Sequence, residues 1–185
     1  MRNFAEAFLP GEILVNRALG CLAAAIVAIV WQRMRERRTD ISAIALSVVC
    51  GLVASSGGWP YVSWWAAMFI GGIAGLGYFL MRDWLRQREI VDSAGFFSAF
   101  AWGGLWGTIA VGLFADGREG AGWQGVVRPA NVARYGEDTV RGLIYGDPWQ
   151  LVAQVLGVAV VVLVGFVLPR LILGLVRRLE MRRAA

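Results

Sequence analysis

The stretch at residues 50–79, CGLVASSGGWPYVSWWAAMFIGGIAGLGYF, decides the fold. It carries no charged side chain, and its two apolar runs are separated only by the uncharged turn SSGGWP. A water-soluble domain interrupts apolar runs with charge well before this length, whereas a helix crossing a bilayer needs about 20 consecutive apolar residues. Working outward, three further apolar runs appear. Together the five predicted spans are 13–31, 41–59, 61–81, 94–115 and 149–173. The expectation is an all-α integral membrane protein forming a single transmembrane domain over residues 1–185, with about five transmembrane helices. The composition agrees, with 58% of 185 residues hydrophobic.

All eighteen basic residues are Arg, and the net charge is +5. Such a balance suits a polyanion-binding surface only if the charges share a face, and these sit at the ends of apolar runs. Arg33, Arg35, Arg37 and Arg38 follow the first run; Arg82, Arg86 and Arg88 follow the third; Arg177, Arg178, Arg182 and Arg183 lie in the tail 174–185. Five spans put all three clusters on one side, which the positive-inside rule makes the cytoplasm of a bacterial-type inner membrane. The amino terminus and a near-neutral loop, 116–147, then lie outside. The lipid bilayer is the first partner this implies, and nucleic acid is not one. The start, MRNFAEAFLPGE, is unlike a cleaved signal peptide with its basic beginning, so the first helix is read as retained.

Little chemistry fits the remaining residues. There is no His, which removes the commonest general base and the usual transition-metal ligand. Cys21 and Cys50 both lie inside apolar runs without metal-type spacing and read as small apolar residues. No nucleophile stands beside a base, and Ser42, Ser47 and Ser98 read as helix-packing hydroxyls. The chain is read as no enzyme, with no catalytic or metal residues and no cofactor assigned.

Candidate packing positions are glycines: Gly71 with Gly75, and Gly103 with Gly107, have the spacing that lets helix backbones approach closely in lipid, and Gly104 adjoins the second pair. Trp102 and Trp106 lie mid-span one turn apart, facing lipid or a neighbouring helix. Asp92–Ser93 precedes the fourth run and reads as a helix cap.

Three blocks also carry a family resemblance: the stretch quoted above; VDSAGFFSAFAWGGLWGTIAVGLFADG; and RGLIYGDPWQLVAQVLGVAVVVLVGFVL. In order and spacing they resemble the carboxy-terminal half of the ammonium transporter and Rhesus family. The resemblance implies the last five of that fold's eleven helices, with no counterpart here of the six that precede them; the arginine clusters orient these five N-out and C-in. It also implies a degenerate pore position: aligned on Gly103 and Gly104, the family's pore histidine falls at Phe100. Of its paired acids only Asp92 remains, beside Val91, and a later Asp falls at Gly95. The helix face with Phe96, Phe100 and Gly103 would turn toward the other half. The expected function is an ammonium-transporter-like membrane protein without transport, acting as an accessory subunit among other membrane-protein subunits. The alternative is a channel or transporter for ammonium or another small solute, working only as an oligomer. A second docking surface is expected on the outer loop, at Trp123, Arg128, Arg134, Tyr135 and Arg141.

Overall fold

A computed structural model describes residues 10–37, 39–58, 61–92, 94–117, 132–133 and 139–184; within the helices, side chains are described from 14 to 175. Five α-helices appear among these residues: α1 Pro10–Trp31, α2 Ile41–Ser56, α3 Trp64–Gln87, α4 Phe96–Phe114 and α5 Pro148–Ala184. A π-helical turn, Gln32–Glu36, extends α1, and a 3₁₀ turn, Leu143–Tyr145, leads into α5. Among the described residues Leu14–Glu36 (most of α1 with its π-helical turn), α3, α4 and Pro148–Leu175 of α5 are long and apolar enough to cross a membrane. The fifth, α2, is apolar but has 16 residues, which gives it about 24 Å against a hydrocarbon core of about 30 Å.

The boundaries depart from the expected spans for local reasons. Helix α2 stops at Ser56 rather than 59, because Gly57 and Gly58 follow as a turn. Helix α3 begins at Trp64, since Val62 is occupied in an antiparallel bridge to Ala115. It continues past 81 to Gln87 through Arg82 to Gln87, mostly good helix formers. The same reason carries α5 through the expected tail to Ala184, over Pro169 within it.

Helices α1 to α4 pack around a core of small side chains. Ala24, Ala28, Ala54, Ala66, Ala74, Ala99 and Ala110 are all buried, and Tyr78, Phe79 and Ile70 supply the bulk. Small residues at crossings substitute close van der Waals contact for the hydrophobic drive that lipid does not provide.

The two ends of the bundle are held differently. At one end Glu36 pairs with Arg82, joining the ends of α1 and α3. Gln32 closes the intervening loop: its side-chain amide donates to the Asp40 carbonyl at 3.1 Å, and its side-chain oxygen accepts from the Asp40 N–H at 2.9 Å. Asp40 in turn caps α2, accepting from the N–H groups of Ser42 and Ala43. At the other end the backbone itself is the tie. The Asp116 N–H donates to the Tyr61 carbonyl at 2.8 Å, Gly117 to Val140 at 3.0 Å, and Gly142 to Ala115 at 2.8 Å. The loops fall at opposite ends as the five-run pattern requires. Of the expected outer docking surface, Trp123, Arg128, Arg134 and Tyr135 lie outside the described residues; Arg141 bridges to Asp116.

Candidate functional site: the open face of the fourth helix

Helix α4 has one face sealed by the bundle and one left open. The sealed face holds Ala99, Gly103, Gly107 and Ala110. A methyl group added at Gly103 would lie 2.9 Å from the Cys50 carbonyl oxygen of α2, and one at Gly107 would overlap the Ala54 backbone. At Gly107 the obstruction is backbone alone, which cannot swing aside, while at Gly103 the Cys50 carbonyl shares the space with the Val53 side chain. Trp102 and Trp106 turn toward α3. The Trp102 indole lies over Gly77, and the Trp106 N–H donates to the Ile70 carbonyl at 3.0 Å.

The open face carries Phe97, Phe100, Gly104 and Leu105. Phe100 is 52% exposed, and its ring centroid lies 6.2 Å from that of Phe96, which is also exposed. A methyl group added at Gly104 would meet nothing within 4 Å. Gly103, expected to share the face of Phe96 and Phe100, instead packs on α2. At about 100° per residue, position 104 lies about 40° from Phe100 and position 103 about 60° on the other side, with the boundary between them. Thr108 bears the one hydroxyl near this face, and it donates back to the Gly104 carbonyl at 2.8 Å.

The other expected packing glycines, Gly71 and Gly75, lie at the α1–α3 crossing. A methyl group at Gly71 would overlap Gly20, and one at Gly75 would meet the Ala24 Cα at 2.9 Å.

Asp92 stands just before α4. Its carboxylate accepts from the Phe97 N–H at 3.2 Å, the Ser98 N–H at 2.9 Å and the Ser98 hydroxyl at 2.7 Å. These are first-turn donors that an N-cap side chain ordinarily satisfies. The N-cap position itself is Gly95, left-handed at φ 71°, so the acid three residues upstream supplies the oxygen. Burial pushes the Asp92 carboxyl up, but the Ser98 hydroxyl and the Ser98, Phe97 and Gly95 backbone together hold it below the usual carboxylate range. A lowered folded value means stability that is fully present above the ordinary Asp pKa and is lost as pH falls through the lowered one. Replacing Asp92 by Ala should therefore cost about 1 kcal/mol near neutral pH. The gap in thermal unfolding between the variant and the parent should begin to narrow only below the ordinary Asp value of about 3.9 and close as pH falls through the lowered one; a gap unchanged by pH would refute the cap.

The polar residues that organise the α1–α2 loop at the same end of the bundle, Gln32, Asp40, Glu36 and Arg82, were not among the expected sites. Thr39–Asp40 before an apolar run is a helix-start signal, and it alone of these features was readable locally.

The model described as Ammonium Transporter Family matches residues 3–182. The chain belongs to the ammonium transporter family. This family member is 30% identical over 154 residues to the ammonium transporter Amt2 of Archaeoglobus fulgidus, covering 80% of this chain and 29% of that protein. It is 31% identical over 109 residues to a putative ammonium transporter of Synechocystis sp., covering 58% of this chain and 25% of the relative. The crystal structure of Mep2 from Saccharomyces cerevisiae shares its fold, with a TM-score of 0.59 at 21% identity over 80% of this chain and 33% of that one. The family member thus spans about a third or less of the length of these relatives. The family resemblance expects the pore histidine at Phe100, and that side chain stands on the open face of α4.

Proposed function

We propose that this family member does not conduct ammonium through its own helices and serves as a packing subunit of a larger membrane assembly. The observation that carries the reading is Phe100 on the open face of α4. A phenyl ring neither accepts nor relays a proton and offers ammonia no lone pair, and no His elsewhere in the chain can take its place. Phe96, Phe97, Gly104 and Leu105 add no polar side-chain group, and Thr108 spends its hydroxyl on its own helix. What remains is a surface suited to contact with other apolar helices. An oligomeric channel for ammonium or another small solute is the competing reading, favoured by family membership.

Growth separates the two. Expressed alone in cells deprived of their own ammonium transporters, the chain should leave growth on low ammonium unrestored, while other membrane subunits co-purify with it in mild detergent. Rescue to the level given by a full-length relative would overturn the reading in favour of the channel.

A further inference from the structure

We propose that the groove between α1 and α3, at the end bearing Arg33 to Arg37, holds an anionic phospholipid with one acyl chain in the groove and its phosphate on Arg35. The groove measures about 440 Å³, within the range of about 300–1,000 Å³ typical of ligand clefts. It is lined by Ile26, Val27 and Val30 of α1 and Leu76 of α3, with Trp31, Met34 and Arg35 at the end bearing the arginines, taken as its mouth. Val27 to Trp31 is one turn, about 6 Å of rise, so the groove runs from an interfacial Trp into the depth of the acyl chains. An apolar wall alone identifies no occupant, since any lipid tail would cover it.

Arg35 selects among them. Its guanidinium sits 5.0 Å from the Trp31 ring centroid. Among the described residues no carboxylate pairs with it, and Glu36, next in sequence, is already taken by Arg82. Arg33 and Arg37 are exposed beside it, so the mouth is a local excess of positive charge at headgroup level. Arg meets phosphate with paired, charge-assisted hydrogen bonds, and basic clefts between helices on the cytoplasmic side are where anionic headgroups bind. A zwitterionic lipid fills the same wall but brings its own cation to the mouth. The π-helical turn contributes directly, since Met34 and Arg35 of that turn form the mouth together with Trp31.

The test is thermal unfolding of the purified chain in mild detergent with added phosphatidylglycerol or phosphatidylcholine of identical acyl chains. Phosphatidylglycerol should raise the unfolding temperature by several degrees more than phosphatidylcholine. Arg35→Gln should abolish that difference while leaving the value in phosphatidylcholine unchanged, whereas Arg33→Gln, outside the groove, should keep most of it. Val30→Trp, which fills the groove without touching the charge, should also abolish the difference and carries the test if Arg35→Gln does not fold. The proposal is overturned if Arg35→Gln or Val30→Trp retains the selectivity. It is equally overturned if Arg33→Gln removes it as fully as Arg35→Gln, or if soluble glycerol phosphate alone reproduces the rise.

Discussion

A leucine in place of Gly71 should leave no folded protein to purify. Helices α1 and α3 cross there with backbone against backbone, and even a methyl group would overlap the carbonyl of Gly20. The obstructing atoms are main chain in the middle of a helix, so they cannot swing aside as a side-chain tip would. Relief requires the two helices to part, and the neighbouring contact of Gly75 with Ala24 would open with them. Overpacking a well-filled core costs about 1–3 kcal/mol where side chains can shift, and more where they cannot. Leucine adds three more carbons beyond that methyl. Gly104→Leu is the matched control, because a methyl group added at Gly104 would meet nothing within 4 Å. It should purify as a single species with an unfolding temperature close to the parent's. Size-exclusion profiles in mild detergent decide the matter, and a monodisperse Gly71→Leu protein of normal stability would contradict the crossing.

The second large effect belongs to Glu36. Arg82 is 8% exposed, with its guanidinium 4.8 Å from the centroid of the Phe79 ring and paired to Glu36. Asp83 lies at 3.4 Å as a secondary partner. Deleting the Glu36 carboxylate leaves a largely buried cation with that weaker contact, and breaking such a pair costs about 3–5 kcal/mol. The presence of Asp83 puts Glu36→Ala near the lower end, at about 3 kcal/mol. Glu36→Gln, which keeps an acceptor but not the charge, should lose less. Arg82→Met combined with Glu36→Ala should lose less than the two single changes added together, since an apolar pair leaves no charge stranded. If denaturant unfolding found Glu36→Ala as stable as the parent, the pair would have no part in holding α1 to α3.

The helices were legible in the sequence because each is an apolar run almost free of charge, Arg17 in the first and Arg170 in the last excepted, bounded by Arg, Asp, Gly or Pro. The close crossings were legible at Gly71, Gly75, Gly103 and Gly107, where spacing four apart puts small residues on one helix edge. Which crossing each pair serves was not legible. Gly103 meets α2 and Gly71 meets α1, and that is fixed by how four helices pack rather than by either local pattern. Trp102 and Trp106 show the same gap: their spacing gives a shared face, but only packing shows that the face is toward α3. Glu36 and Arg82 are 46 positions apart, and nothing local marks Arg82 out from the other seventeen arginines. The open face of α4 was half legible. Phe100 was readable as a position where the resemblance expects histidine, and its exposure is the part that needed three-dimensional packing.

Helix α5 touches the bundle at its beginning, where a methyl group at Gly112 would lie 2.8 Å from the Cα of Leu151, and no residue in its most apolar 18-residue window is buried. Backbone hydrogen bonds from Gly117 to Val140 and from Gly142 to Ala115 anchor the segment just before it. Mechanically this is a lever arm with a clamped pivot and an unloaded beam. From Leu151 to Leu175 the beam is about 36 Å long, so a tilt of about 5° at the pivot carries its far end through about 3 Å. Anything packed along that beam would set its angle, and the angle would be carried to the end of the helix that bears Arg177 and Arg178.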